Sequence, residues 1–232
     1  MGIREYQARV RGAQAIAKGE APPDSPKSDS LHLQLIALKR DIEAVRSLNN
    51  LADRQALKRT ELLPRWLPWV EKYLEAGTVY QNPVFVECII WLFDTESYQK
   101  ALDYADIAIA QGQHMPARFK SKMPVFVADT MLAWAEKESE HGRGIEPFFT
   151  RTFNNVLKNW RLHEEITAKW LKFAALHLLR DDDGRPRASA VESVDVLEQA
   201  DRWLAQADAL YKKIQVRTLR QKIAMRIRAL TG

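Results

Sequence analysis

A chain of 232 residues with 46% hydrophobic and 28% charged side chains can bury one large core or two small ones, and is too apolar to be disordered throughout. Its single cysteine, Cys88, excludes an internal disulfide and any multi-thiolate metal site, and fits a reducing compartment. The formal charge of +5 is modest but uneven: the 24 residues after Asp208 hold seven Lys/Arg and no acidic side chain, which suits a polyanion, an acidic partner surface or simply a solvated face.

In chain order, residues 1 to 18 read as a short basic arm with Arg4, Arg9, Arg11 and Lys18. GEAPPDSPKSDS, 19 to 30, reads as a proline-rich linker without periodicity. No charged-then-apolar leader opens the chain, and no run reaches the roughly 18 apolar residues of a membrane-spanning helix, so no membrane contact is expected. A long helix is predicted over 31 to 63. Leu31, Leu35, Leu38, Ile42, Val45 and Asn49 recur at spacings of four and three, the seam of a coiled coil or of an intrachain helical hairpin. Lys39 and Arg40 lie on the same segment.

The stretch ELLPRWLPWV, 61 to 70, then sets two prolines and two tryptophans within six positions. Each proline lacks an amide proton and biases the preceding residue away from the α-conformation. The prediction is therefore a helix end near Leu63, a new helix from Pro68, and Trp66 and Trp69 wedged between them as an elbow. Further helices follow over a core of 64 to 210: an almost wholly apolar one after Asn82-Pro83, one stopped by Gly112, one after Pro124 and one opened by Pro147. DDDGRPRAS, from 181, reads as a polar connector. A basic amphipathic helix occupies 211 to 232, with an apolar face that includes Ile223 and Ile227. An echo at a constant offset of 95 residues pairs Ala101, Leu102, Ala105 and Ile109 with Val196, Leu197, Ala200 and Leu204, as in tetratricopeptide-like helix pairs or in ordinary helix-core patterning. The expected class is all-α, a multi-helix bundle.

The residues offer little catalytic chemistry. No phosphate-binding glycine loop is present, and the five histidines form no H-E-x-x-H pattern. No cofactor and no metal are expected. Asp181, Asp182 and Asp183, and the cluster Asp94, Glu96 and Asp103, are the remaining candidates for divalent-metal chemistry, but a solvated acidic loop and helix capping explain them better. The positive signals are basic patches: the arm, the loop Arg118, Lys120 and Lys122 around Phe119, and the last helix, whose Arg217, Arg220, Ile223, Arg226 and Ile227 suit partner docking or DNA contact.

Three segments in this order resemble one family: ELLPRWLPWV, WLFDTESYQKALDYADIAIAQGQHMP (91 to 116) and the helix from Phe126 to Trp134 after a basic loop. The sequence is similar to the small terminase subunits of Peduovirus-type temperate tailed phages, the M-protein family of terminase endonuclease subunits. The resemblance spans roughly residues 30 to 180. It implies a non-ATPase subunit that recognises viral cohesive-end double-stranded DNA and hands it to a large terminase subunit carrying the motor. It further implies a ring-forming homo-oligomer in the cytoplasm of the infected bacterial host. The residues themselves leave two alternatives, a metal-dependent nuclease built on Asp181 to Asp183 and a purely protein-binding helical scaffold.

Overall fold

Two compact units divide the computed structural model, the first closing at Met123 and the second running Pro124–Gly232; the structure describes residues 28–181 and 183–232. The regular structure of the described residues is helical, as the patterning predicts, and their only extended pairing is an isolated bridge between Arg180 and Pro186. The basic arm and most of the linker lie outside the described residues.

In the first unit, α1 (Ser28–Ser47) ends well short of the predicted helix. The break at 48–50 arises because Asn50 takes an extended conformation and accepts a hydrogen bond from the Ala52 amide (2.8 Å), starting α2 (Leu51–Leu57) as an N-cap. Asn49 is thus an exposed residue of the break and does not sit on a helical seam. The rest of the seam faces inward in part: Leu38 and Val45 are buried, whereas Leu31, Leu35 and Ile42 are half-buried.

The predicted elbow is also absent. Helical structure continues from α2 through a π-turn (Lys58–Leu62) into α3 (Leu63–Ala76), with Pro68 inside the helix. Pro64 and Pro68 are one turn apart and both exposed, so the carbonyls they leave without an amide partner lie on a wet face where solvent satisfies them. The wider π-turn, in which the Leu63 amide donates to the Lys58 carbonyl, admits Pro64 directly after it. The tryptophans part ways. Trp66 is buried and its indole Nε1 donates to Asp41 Oδ2 (2.8 Å), whereas Trp69 is 44% exposed beneath the Lys72 ammonium.

The helices α4 (Pro83–Asp94) and α5 (Tyr98–Ala110) complete this unit, with α4 packed on both α3 and α5. Every residue of α4 from Val84 to Phe93 is buried, as expected of a helix apolar on all sides. Its C-terminal end is finished by the segment around the π-turn. Gln55 and Arg59 donate to the Asp94 and Thr95 carbonyls (2.9 and 3.0 Å), and the Lys58 ammonium pairs with the Asp94 carboxylate (2.6 Å). At the opposite end Gln113 staples two loops: its side chain accepts from the Asn82 amide (2.8 Å) and donates to the Tyr73 hydroxyl (2.9 Å) and the Tyr80 carbonyl (2.7 Å). Burial in this network pushes the Tyr73 phenol up to about 12.

In the second unit, α6 (Met123–Glu140) begins at the unit boundary. It is followed by α7 (Phe148–Asn154) with its π-turn (Asn155–Asn159), then α8 (Glu164–Leu178), α9 (Val194–Leu210) and α10 (Arg217–Thr231). Phe149 organises the core, its ring 5.5, 5.6 and 5.4 Å from those of Phe153, Trp170 and Phe173. The 95-residue echo falls on the inner faces of two helix pairs. Ala101, Leu102 and Ala105 are buried on α5 beside α4, and Leu197, Ala200 and Leu204 are buried on α9 beside α8.

Candidate nucleic-acid interface

The predicted DNA-contacting residues separate by what their charges already do. Arg4, Arg9, Arg11 and Lys18 lie outside the described residues. Lys39 and Arg40 are exposed on the outer side of α1 and, among the described residues, make no ion pair. Lys120 and Lys122 are likewise exposed and unpaired on the loop before α6.

Arg118 differs from its neighbours in that loop. Its guanidinium lies 2.6 Å from Glu87 Oε1, on a carboxylate that is 2% exposed within α4, and stacks over the Phe119 ring (4.9 Å). A buried carboxylate needs a partner of opposite charge to remain ionised. Arg118 therefore anchors the loop, and Lys120 and Lys122 are the cations it holds out to solvent.

The residues read as partner-binding on α10 separate in the same way. Arg220 makes a two-pronged pair with Asp201 of α9 (2.7 and 3.0 Å), Arg226 Nε donates to the Val191 carbonyl (2.9 Å), and Ile223 is fully buried. Ile227 is half-buried. These contacts fasten α10 to its own unit. The residues α10 shows to solvent include Arg217, Lys222, Met225 and Arg228.

The acidic loop is similarly occupied. The Asp181 carboxylate accepts the Arg185 amide (2.8 Å) and pairs with Arg187 (3.2 Å); Asp183 is exposed, and Asp182 lies outside the described residues. A cleft of about 470 Å³ opens between this loop and the end of α6, lined by residues including His141, His177 and Arg180. Burial, with Arg180 adjacent, lowers the His177 pKa. Among the described residues no three His, Cys, Asp or Glu side chains are grouped to hold a metal ion. Cys88 is buried in α4, and desolvation pushes its thiol far up, away from a reactive thiolate.

One segment escaped the search for patches. KNWRLH, 158 to 163, alternates Lys158, Trp160, Arg161 and His163, and the interleaving of cations with an aromatic ring was the available signal. Three of these, Lys158, Arg161 and His163, are exposed, and Trp160 is half-buried.

Comparison with known proteins gives three consistent findings. The family model described as phage small terminase subunit matches residues 35–165. The chain is 37% identical to the probable terminase, endonuclease subunit of Haemophilus phage HP1 (strain HP1c1) over 235 residues, covering 99% of this chain and 84% of that protein. It is 25% identical over 199 residues to the terminase, endonuclease subunit of Escherichia phage P2, covering 85% and 78% of the two chains. No solved structure matches. No helix among the described residues is long and apolar enough to cross a membrane.

Proposed function

Since this chain belongs to the phage small terminase subunit family, we propose that it recognises the cohesive-end region of a viral genome as duplex DNA and presents it to a large terminase subunit for cleavage and packaging. The observation that supports this reading is the division of labour among the cations. Arg118 and Arg220 are used up on the chain's own carboxylates, while Lys39, Arg40, Lys120 and Lys122 stand exposed without an acidic neighbour in contact. Cations left in that condition neutralise phosphates and release counterions. The arm residues Arg4, Arg9, Arg11 and Lys18 extend the same proposal along the chain.

Several copies act together in this reading, in the manner of a ring. Leu33 and Ile36 on α1 are 65% and 40% exposed, and beside the half-buried Leu31, Leu35 and Ile42 they supply an apolar flank for a second copy. The exposed side of α10 beyond its first turn, with Lys222, Met225 and Arg228, is offered to the large subunit, and the assembly works in the cytoplasm of the infected host. Cleavage is directed by this subunit, and the carboxylates that perform it belong to its partner. Supporting that assignment, the Asp181 carboxylate is held by Arg187 and the Arg185 amide.

The test is binding of the purified chain to duplex cohesive-end DNA of its own phage over a salt series. With about six phosphate contacts, affinity falls roughly 1,000-fold between about 50 and 200 mM salt. Affinity that does not change with salt, or an absence of binding at the lowest salt, overturns the proposal. Cutting of that DNA by this chain alone with Mg²⁺, lost in the Asp181→Ala variant, would move the catalytic carboxylates onto this subunit.

A further inference from the structure

We propose that one end of the second unit, where the start of α8, the turn after α9 and the start of α10 meet, is a binding surface for the phosphate backbone of duplex DNA. The inference rests on the DNA-recognition reading above and adds a surface of which the sequence patches contain only Arg217 and which the family match does not assign.

The end is assembled by buried anchors that leave the cations outside. After α9 ends at Leu210 the chain makes a single turn, Lys212–Ile214, and Gln215 adopts a left-handed conformation (φ 58°) before α10 begins. Ile214 and Val216 are buried, and Lys172 of α8 donates to the Ile214 carbonyl (2.9 Å), pinning the turn against α8. With the residues on either side fixed inward, Lys213 and Arg217 are exposed. The turn packs on α8, and Glu165 in the first turn of that helix lies within electrostatic reach of Lys213. Just upstream, the π-turn of α7 closes with the Trp160 amide donating to the Asn155 carbonyl (2.8 Å), and Val156 is buried. Lys158 and Arg161 are exposed around that closure.

The balance of charge selects the ligand. Among the described residues Lys158, Arg161, Lys213 and Arg217 make no ion pair. Of the acids at this end, Glu165 is paired with Lys169 (2.7 Å) and Asp208 with Lys212 (2.9 Å); the opposing charges are Glu164 in the first turn of α8 and Asp129 of α6, which lies within electrostatic reach of Glu165 and Lys169. The start of α10 adds a further attraction. Its first turn holds no acid and its Val216 cap makes no side-chain hydrogen bond, so its leading amides are available to phosphate oxygens. Free cations of both Lys and Arg type, spread across three adjoining segments, match a continuous line of phosphates better than a single small anion.

The experiment uses the full chain and duplex cohesive-end DNA. All four side chains are exposed, so K158A/R161A/K213A/R217A melts within a few degrees of wild type. Its affinity at about 100 mM salt falls at least 10-fold, and the slope of log affinity against log salt drops by roughly 3.6, at about 0.9 for each of the four lost phosphate contacts. The charge-keeping set K158R/R161K/K213R/R217K retains both. Wild-type chain that fails to bind DNA overturns the proposed function and this surface with it. Wild-type binding, with the fourfold alanine variant unchanged in affinity and slope, overturns this surface alone. So does a variant that binds DNA normally but no longer associates with the large subunit, which would give the patch to a protein partner.

Discussion

Replacing Arg118 with alanine costs the fold about 3–5 kcal/mol, a fall in Tm of roughly 10 °C or more. The cause is the company Arg118 keeps. Glu87 is 2% exposed, surrounded by the apolar side chains of α4, and its carboxylate reaches the Arg118 guanidinium at 2.6 Å. Removing the cation leaves a desolvated charge behind, which is worse than having neither group. The double variant R118A/E87Q therefore recovers a large part of the loss, because the amide needs only hydrogen bonds. Thermal melts of wild type, the single variant and the double variant decide the matter; a single variant that melts with wild type shows the pair to be dispensable. The same melts guard the DNA-binding reading, since lost binding in R118A would report a disordered loop, whereas Lys120→Ala and Lys122→Ala weaken binding without moving Tm.

Ile223→Ala destabilises the second unit by about 2–5 kcal/mol, whereas Met225→Ala, two residues further along the same helix, changes stability by less than about 0.5 kcal/mol. Ile223 is fully buried on the inner face of α10, and Met225 is 63% exposed on the same helix. The contrast also separates two roles that an amphipathic pattern leaves merged. If the Ile223 face were the docking surface for another protein, the isolated chain would tolerate its truncation and the complex would not. Equal denaturation midpoints for I223A and wild type would restore that reading. The Arg220–Asp201 pair and the Arg226 bond to the Val191 carbonyl hold the helix from either side of Ile223, so the residue sits within a fastened contact.

These two cases mark how far the sequence could be read. Apolar periodicity made the helical class legible and picked out α4, where each residue from Val84 to Phe93 is buried, but it could not say that Glu87 inside that run would find a cation 31 positions away. Likewise α10 is amphipathic whether its apolar face meets α9 or a separate protein, and only tertiary contacts distinguish them. The failures at the junction have a local cause. Proline statistics predict a helix end, yet Pro64 and Pro68 share one exposed face, and the cost of their missing amides is met by solvent. Asn49 fitted a heptad count, but its neighbour Asn50 found a better use as a cap. Among the proposed DNA contacts, sequence identified the cations and could not tell which were spent internally. The KNWRLH segment was missed because it is short and lies in the connection before α8, where no helical periodicity marks an exposed face.

The π-turn at Lys58–Leu62 carries one residue more than an α-helical turn would need. Shortening the chain by a single residue there would let the helix run regularly, at the price of swinging everything beyond it by about 100°. Trp66 would then rotate off Asp41, and Lys58 and Arg59 would lose their phase relative to the end of α4. This stretch therefore acts as a phase-setting spacer, in which a change of length is far harder to absorb than a change of side chain.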